Sequence, residues 1–424
     1  MDDWKQKFAV PKRLLGYQKC IWEETLEIQP NQIDIWKGCP DFVPSKAIIE
    51  ALTEVSTNGN ALLHQYTRGC GHPRLVSALS KLYSTLTNRE IDPNNDVLVT
   101  VGVHGAIYNT IFGNITNGDE VIIIEPFSDY YDATVRSAGG VPVFVPLRLK
   151  ENLKNASSDE WVLDPLELAS AFNGKTKIII LDTPNVHLGK VYTRAELEEI
   201  SNLCKKWNVL CVAIEADEFL VHDSETKYAR LATLPDMQQR TISIGSSDST
   251  FFLKGWKVGW AYGPSHLIKN SQISHLNSVY VCTTGLQEAL AIVIEKEMQL
   301  LDSEIGYFKT VVRDLAIKKK ILNTMLYSTG MNIILPKSGV FMVAEWTPLE
   351  HKIISNLKME LPNNFDFVKW FLSNSGIQVV PLSMFFSDSH APIAKKMVRF
   401  CFNKKHETLL KAKDMIEAFA VKLN

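Results

Sequence analysis

Residues 245–260 read GSSDSTFFLKGWKVGW, with one short apolar run, Thr241 to Ile244, just before them and another, Lys257 to Tyr262, overlapping their end. Both runs have the length and residue types typical of β-strands. Similar runs recur upstream and alternate with helical patterns, which predicts an α/β domain around a mostly parallel sheet. Several are nearly all apolar, as in strands covered on both faces. The other predicted strands are Val97 to Val101, Glu120 to Ile124, Val141 to Val145, Lys177 to Leu181 and Val209 to Ile214.

The pattern changes from about residue 295. A long amphipathic helix is predicted from Glu295 to Leu326, and a final helix from about Glu407 to Val421. Shorter strands lie between them, which predicts a second, α+β domain. Residues 149–160 and 347–365 are polar or rich in Pro and Asn, and are predicted loops or insertions. The shorter strands are Asn332 to Leu335, Gly339 to Glu345, Gln378 to Val380 and Val398 to Phe402.

The composition is that of an ordinary globular chain. It has 424 residues, 46% apolar and 22% charged, with a formal net charge of -2. This charge favours neither nucleic acid nor an anionic membrane as a partner, and no apolar run approaches the length of a membrane span. The polar N-terminus lacks the apolar run of a signal peptide. Seven scattered cysteines without a C-x-x-C pair are typical of reduced thiols, so we expect a cytoplasmic protein without a metal site.

Residues 245–260 closely resemble the signature of class I aminotransferases, enzymes that use pyridoxal phosphate. In that family the segment reads roughly G-S-x-x-K-T-F-x-x-x-G-W-K/R-x-G-W. Ordered matches run over almost the whole chain and are closest to the branch of kynurenine aminotransferases, glutamine transaminase K and cysteine conjugate β-lyases. They lie at residues 38–42 (GCPDF), 65–75 (QYTRGCGHPRL), 119–127 (DEVIIIEPF) and 398–402 (VRFCF).

The resemblance implies fold type I of the pyridoxal-phosphate-dependent transferases. That fold has a large domain with a mostly parallel seven-stranded sheet and helices on both faces. A smaller α+β domain is built from both chain ends, and the active sites of a homodimer lie at the subunit interface. We therefore expect an N-terminal arm at residues 1–20, a large domain at 51–294, and a small domain formed by 21–50 and 295–424.

Five positions that handle the cofactor in this family differ here. Ser249 stands at the position of the lysine that carries the cofactor as a Schiff base, and a hydroxyl cannot form an imine with an aldehyde. Ile214 replaces the aspartate that keeps the pyridine nitrogen protonated, and Asp217 replaces a tyrosine. Val186 replaces the asparagine on the ring hydroxyl, and Ser128 replaces the stacking aromatic residue. A pyridinium facing Ile214 would be a buried, unpaired cation.

Other polar residues near these positions have simpler interpretations. Glu215 and Asp217 could substitute for the missing aspartate, but side chains alternate along a strand, so we interpret both as polar residues at a strand end. His187 and His104 are candidate catalytic bases. A lone histidine is more often a hydrogen-bonded structural residue, and we interpret both in that way.

The phosphate positions largely match the family. Gly102, Val103 and His104 follow a strand and begin a helix, whose N-terminal amides could hold a phosphate; a plain strand-to-helix turn is the alternative. The resemblance makes Ser246 and Lys257 phosphate ligands. It also implies that Tyr66 reaches the phosphate from the neighbouring subunit.

The substrate positions match as well. Arg399 corresponds to the arginine that binds the substrate α-carboxylate through a bidentate ion pair, with an interdomain salt bridge as the alternative. Gly38 corresponds to the backbone contact to the same carboxylate. Trp22 lies where this branch has an aromatic residue lining the side-chain pocket.

Taken together, these positions predict a pseudoenzyme. It is a catalytically impaired homologue of a kynurenine/glutamine-type aminotransferase, with pyridoxal phosphate absent or bound only weakly and non-covalently. It would bind a small carboxylate or phosphate ligand near Arg399 and Lys257, or a protein partner such as an active paralogue in a heterodimer. The alternative is an active aminotransferase whose amine comes from Lys254, a residue expected to face solvent. A remoter version uses preformed pyridoxamine phosphate with His187 or His104 as the base.

Overall fold

The computed structural model describes residues 29–150, 156–357, 361 and 363–423. Trp22 and the predicted N-terminal arm lie outside the described residues. The strands are β1 (Ile33–Asp34), β2 (Val97–Val101), β3 (Glu120–Glu125), β4 (Val141–Pro146), β5 (Arg148–Leu149), β6 (Trp161–Val162), β7 (Thr176–Asp182), β8 (Leu210–Ile214), β9 (Thr241–Ser246), β10 (Val258–Tyr262), β11 (Asn332–Ile334), β12 (Phe341–Glu345), β13 (Ile377–Gln378), β14 (Val380–Pro381) and β15 (Met397–Cys401). The α-helices are α1 (Lys46–Thr57), α2 (Pro73–Thr87), α3 (Gly102–Asn114), α4 (Tyr130–Ser137), α5 (Pro165–Ser170), α6 (Arg194–Trp207), α7 (Ser247–Thr250), α8 (Ser265–Ser278), α9 (Thr284–Met298), α10 (Tyr307–Tyr327), α11 (Thr347–Leu357), α12 (Asn364–Ser375) and α13 (His406–Leu423).

Seven strands form the central sheet, in the order β2-β10-β9-β8-β7-β3-β4. Strand β10 runs antiparallel to its neighbours β2 and β9, and the remaining neighbours are parallel. All seven are strands that the sequence predicts, with ends within about two residues of those expected. The prediction of a mostly parallel seven-stranded sheet is confirmed.

The central sheet is buried on both faces because its apolar side chains alternate between them. Ile122 and Ile124 of β3 pack on one face, in a core that includes apolar residues of α6. Val121 and Ile123 pack on the opposite face with residues of α3 and α8. Burying each such side chain contributes about 1.5–3 kcal/mol. The apolar strands thus fix the plane of the sheet, and their carboxyl ends position the loops described below.

A second sheet has the order β11-β12-β15-β14 and is antiparallel throughout. Its core is shared with apolar residues of α10, α12 and α13. This is the α+β region predicted after residue 295, while the exact domain boundaries stay a prediction. Among the described residues, no helix combines the length and apolar content needed to cross a membrane.

The single long helix predicted from Glu295 to Leu326 is wrong. Helix α9 ends at Met298 and α10 begins at Tyr307. The Tyr307 N–H is one of the donors that a helix start leaves without an internal partner, and it donates to Glu297 Oε2 at 2.7 Å. Gly306 stands at the N-cap with extended backbone. The amphipathic pattern continues across the break, which is why the sequence suggested one helix.

The loop predicted at 347–365 is also partly wrong, because α11 occupies its first half. The Thr347 N–H donates to Glu345 Oε1 at 2.9 Å at the start of this helix. Leu349 and Ile353, four residues apart on one helix face, are fully buried in the core of the second sheet. The other predicted loop, 149–160, contains residues 151–155, which lie outside the described residues.

Candidate functional site

The carboxyl ends of β7, β8 and β9 meet at the centre of the large sheet. Asp182 at the end of β7 is paired in register with Ile214 at the end of β8. Ile214 is in turn paired with Ile244 of β9, two residues before Ser246. Loops that leave neighbouring parallel strands at one edge converge, and open α/β sheets place their ligands there. This edge is therefore the candidate site.

Ser249 lies in the short helix α7, directly after β9, and is half-buried. Its neighbour is Asp217, which is 3% exposed. Burial raises the pKa of the Asp217 carboxyl, and the adjacent Ser249 hydroxyl and Lys254 charge partly offset that rise. Asp217 Oδ2 has no hydrogen-bond partner among the described residues. A hydroxyl and a carboxyl group thus lie side by side at the two positions that the resemblance assigns to a lysine and a tyrosine.

The interpretation of Asp217 as a polar residue at a strand end is wrong. Strand β8 stops at Ile214, and a turn follows, in which the Leu220 N–H donates to Asp217 O at 2.9 Å. Strand alternation therefore does not extend to position 217. The carboxylate faces Gly339, with Oδ2 3.0 Å from where a Cβ on that glycine would lie.

Glu215, by contrast, is a structural residue, as interpreted from the sequence. Its Oε1 accepts a hydrogen bond from Tyr228 Oη and its Oε2 accepts one from Tyr262 Oη, both at 2.9 Å. The nearby Glu218 accepts from Tyr83 Oη at 2.7 Å and pairs with Arg230. These carboxylates are satisfied by a buried network behind the strand ends and are unavailable to a ligand.

Three residues stand at positions that the resemblance assigns to contacts with the cofactor ring, and all three are buried or half-buried. Ile214 is 5% exposed and belongs to the core on the α3 face of the sheet. Val186 is half-buried against the core of the second sheet. Ser128 is half-buried, and its carbonyl accepts the Tyr131 N–H at 2.9 Å. None of the three offers a charge or an aromatic face.

Asp182 is a site residue that the sequence reasoning missed. It is 5% exposed, and Oδ1 accepts a hydrogen bond from Tyr131 Oη at 2.7 Å, while Oδ2 has no partner among the described residues. Burial raises its pKa to about 7, with a further rise from the charge of Asp217 and a lowering by the Tyr131 hydrogen bond. An aspartate directly before the Thr-Pro pair of this loop was the signal available in the sequence.

Replacing Asp182 with asparagine is expected to stabilise the protein at pH 8 by about 1–3 kcal/mol. The folded pKa of Asp182 lies above the ordinary 3.8, so the folded chain holds a proton that the unfolded chain releases. Stability is therefore lost as pH rises from about 4 to 7, and stays lost above that range. The amide side chain of the variant carries no charge, so this part of the pH slope should vanish.

Urea unfolding of both proteins at about pH 5 and pH 8 measures this effect. The matched control is Asp236→Asn, which makes the same change of charge at an exposed position. Parallel pH profiles for wild type and Asp182→Asn would contradict the expectation.

Residues predicted to form the phosphate cradle lie close together, and their binding of phosphate stays a prediction. Gly102 is the first residue of α3 and has a φ of 67°, and a Cβ on it would lie 3.8 Å from Lys257 Nζ. Gly259 lets β10 approach closely, since a Cβ there would lie 2.3 Å from the Gly102 carbonyl carbon. Ser246 is fully buried, and its hydroxyl accepts the Asp248 N–H at 2.9 Å. Val103, next in α3, is half-buried in the core on that face.

Asp248 is a second residue that the sequence reasoning missed. Its Oδ2 lies 3.4 Å from the Cβ position on Gly102, on the same side as Lys257. Oδ1 is buried without a hydrogen-bond partner among the described residues. The acidic residue one place before Ser249, within the signature itself, was a visible signal. A carboxylate therefore stands beside the cradle.

Lys254 does not point into bulk solvent, contrary to the expectation. It is half-buried, and its Cε lies 3.6 Å from where a Cβ on Gly38 would be. Its charge lowers the pKa of Asp217 and of Asp248, in both of which burial is the larger, opposing effect. The side chain thus lies between the candidate carboxylate-binding and phosphate-binding positions.

Arg399 is buried in an aromatic clamp. It is 6% exposed, with its guanidinium carbon 3.8 Å from the Phe341 ring centre and 4.2 Å from that of Phe385. Nη1 lies 2.5 Å from His187 Nδ1, and Nε has no partner among the described residues. No carboxylate of the described residues pairs with it, so the interdomain salt bridge considered above is not found there.

His187 completes this arrangement as a neutral hydrogen-bond acceptor. Burial, together with the charge of Arg399, holds its pKa well below the usual range. Its ring packs against Phe385 at 4.2 Å between centres. The interpretation as a hydrogen-bonded structural residue is consistent with these contacts.

Gly38 and Arg399 lie beside the same ring, that of Phe341. A Cβ on Gly38 would be 2.9 Å from Cζ of Phe341, the ring that packs on the guanidinium. The structure thus brings together two predicted carboxylate contacts from opposite ends of the chain.

Tyr66 and His104 lie apart from these contacts. Tyr66 is 83% exposed, with its ring 6.0 Å from that of Tyr280 in an edge contact. Within one chain it is a surface residue, so its role at a neighbouring subunit's phosphate stays a prediction. His104 is exposed and stacks on Tyr130, with ring centres 4.4 Å apart. Neither geometry positions a catalytic base.

Comparison with known proteins agrees with this architecture. Residues 30–416 match the family described as aminotransferase class I and II. Kynurenine–oxoglutarate transaminase 3 of Bos taurus is 43% identical over 417 residues, covering 98% of this chain and 91% of that protein. Kynurenine–oxoglutarate transaminase 1 of Homo sapiens is 36% identical, covering 97% and 98%. The crystal structure of Bna3p from Saccharomyces cerevisiae matches with a TM-score of 0.86 at 27% identity, covering 92% and 91%. The chain therefore belongs to the class I and II aminotransferase family, with kynurenine–oxoglutarate transaminases among its close homologues and the pyridoxal-phosphate-dependent fold type I.

Proposed function

We propose that this chain is a non-catalytic member of its family that acts by binding a small carboxylate at Arg399. The observation that carries the proposal is Ser249 beside the buried carboxyl of Asp217, where the family has its lysine. Transamination by this family starts from an amine that can form an imine, and neither side chain supplies one. The chemistry that pyridoxal phosphate supplies when bound, an electron sink, depends on protein groups around its ring.

The residues do not fit pyridoxal phosphate. Ile214 would leave a pyridinium nitrogen without a countercharge in a buried place, which costs on the order of several kcal/mol. Asp248 would face the phosphate with a like charge beside Gly102. Val186 and Ser128 offer neither the hydrogen bond nor the aromatic face that the ring requires. Any residual binding is expected to be weak and non-covalent.

The carboxylate ligand is supported by the state of Arg399. A buried guanidinium without an ion-pair partner in the described residues is costly, and a bidentate carboxylate relieves that cost. Phe341 and Phe385 fix the plane of the fork, and His187 orients it from one side. This preorganisation lowers the entropy lost on binding.

We also propose a homodimer, or a heterodimer with an active relative. An exposed apolar patch supports it, because monomers rarely expose so many neighbouring apolar side chains. The patch borders a cavity of about 700 Å³ that is lined by residues 63–66 and 281–285. Its exposed members include Leu62, Tyr66, Ile273, Leu276, Val279 and Tyr280. We retain the cytoplasm as the proposed location, supported by the scattered cysteines of the sequence.

One observation favours a second candidate function, an aminotransferase that uses Lys254. Its half-buried side chain approaches the positions of Gly38 and Asp217, so an amine is available inside the site. Against this, Lys254 lies five residues from the position that the resemblance assigns to the cofactor-binding lysine.

The deciding experiment adds pyridoxal phosphate to the purified protein. We expect no Schiff-base absorbance near about 410–430 nm, no change of intact mass after borohydride, and no turnover of kynurenine, glutamine or phenylalanine with a 2-oxo acid. A reducible adduct that Lys254→Ala abolishes, and that Lys269→Ala at an exposed position preserves, would establish the second candidate instead. An active homologue treated in parallel verifies the procedure.

A further inference from the structure

The start of helix α3 has no side-chain cap, and its first turn contains no acidic residue. A helix of this length carries about half a positive charge at its N-terminus, which attracts an anion. Gly102 adds close access to the backbone, and Lys257 Nζ lies 3.8 Å from the Cβ position on that glycine.

Asp248 places a carboxyl group beside this helix start. Its Oδ2 is 3.4 Å from the same Cβ position, so it and Lys257 Nζ both lie within 4 Å of one point. The residue is held there by its own N–H, which donates to Ser246 Oγ at 2.9 Å at the N-terminus of α7. Its other oxygen, Oδ1, is buried and without a hydrogen-bond partner among the described residues.

The pKa of the Asp248 carboxyl is raised by burial, and the charges of Lys254 and Lys257 offset only part of that rise. Its negative charge also acts on its surroundings. Burial raises the pKa of Tyr130 well above the usual range, and the negative charges of Asp182, Asp129 and Asp248 raise it further. Tyr130 itself stacks on His104, with ring centres 4.4 Å apart.

We propose that Asp248 is a built-in anion that occupies the phosphate cradle of Gly102 and Lys257 and excludes phosphate groups from it. This proposal rests on the proposed function, in which Arg399 binds a small carboxylate. It adds that the bound carboxylate carries no phosphate group. A phosphate dianion entering the cradle would meet a carboxylate within a few ångströms. Like charges at that separation repel strongly enough to offset the attraction of one lysine.

The test compares phosphate binding by wild type, Asp248→Asn and Asp248→Gly. Isothermal titration uses three probes: inorganic phosphate, pyridoxal phosphate, and pyridoxal without its phosphate. Wild type is expected to bind none of them measurably at millimolar concentration. Both variants are expected to bind inorganic phosphate and pyridoxal phosphate about tenfold more tightly or better, which corresponds to about 1.4 kcal/mol. Pyridoxal should gain nothing, because it lacks the anion.

Two further proteins locate the effect. Asp236→Asn makes the same charge change at an exposed position and should gain no affinity. Lys257→Ala combined with Asp248→Asn should lose the gain. Phosphate binding by wild type comparable to that of the variants, or no gain in either variant while both remain folded by circular dichroism, would overturn the proposal. Phosphate binding by wild type without a reducible adduct or turnover would overturn this inference and leave the proposed function standing.

Discussion

Replacing Arg399 with methionine is expected to raise the free energy of unfolding at pH 7 by about 1–3 kcal/mol. Burial lowers the pKa of Arg399 to about 9, well below its ordinary value of 12.5. At pH 7 the folded chain therefore carries the cost of a buried cation. Methionine fills much of the same volume without the charge.

Chemical denaturation at about pH 7 measures this effect. Arg399→Lys keeps a buried charge and should give no stabilisation, and the partly exposed Arg136→Met should change stability by less than about 0.5 kcal/mol. A clear loss of stability in Arg399→Met would mean that the contacts with Phe341, Phe385 and His187 outweigh the cost of the buried charge. In that case the guanidinium would be a structural element.

The same substitution should abolish carboxylate binding. A residue whose removal stabilises the fold and removes ligand binding is kept for function, since selection for stability alone would remove it. A gain in stability together with a loss of carboxylate binding in Arg399→Met would therefore identify Arg399 as a ligand-binding residue and not a structural one.

The large sheet could be predicted from the sequence because its strands are apolar on both sides. Runs such as Val97–Val101 and Thr176–Asp182 have no competing helical interpretation. The break between α9 and α10 was missed because the spacing of apolar residues shows which face is buried. It does not show whether the helix is unbroken. Helix α11 was missed because Pro348 and nearby polar residues suggested a loop, although proline is well tolerated in the first turn of a helix.

The candidate site could be predicted in part, wherever a residue acts through its position in a shared motif. Gly38 and Arg399, far apart in the chain, are brought together as expected. Asp217 and Lys254 were misjudged because their directions depend on where β8 ends and how α7 turns. Strand periodicity does not extend into such turns.

The pairing of Arg399 with His187 could not be predicted from the sequence. Their sequence positions are 212 residues apart, and neither residue type requires the other. The contact exists because β15 and the loop after β7 meet beside Phe385, which packs on both side chains. Asp248 is different, because its proximity to Lys257 within one signature was already visible in the sequence.

Ser249→Lys alone is expected to form no detectable borohydride-stable adduct with pyridoxal phosphate. The introduced amine would lie beside the Asp217 carboxyl and remain an ammonium, which is not a nucleophile. Asp248 would still repel the phosphate from the cradle. Adding Asp217→Tyr and Asp248→Gly to Ser249→Lys removes both obstacles, and this triple variant is expected to be labelled in most chains, as measured by intact mass.

Labelling without turnover is the specific outcome expected for the triple variant. Ile214 would still face the pyridine nitrogen and leave a protonated ring without a countercharge, so amino-acid turnover should stay undetectable until Ile214→Asp is added. Strong labelling by Ser249→Lys alone would show that Asp217 and Asp248 do not hinder the cofactor. A triple variant that binds phosphate yet remains unlabelled would show that an obstacle other than Asp217 and Asp248 prevents labelling. The variant in which labelling first appears and the variant in which turnover first appears therefore show which positions block each of these two steps.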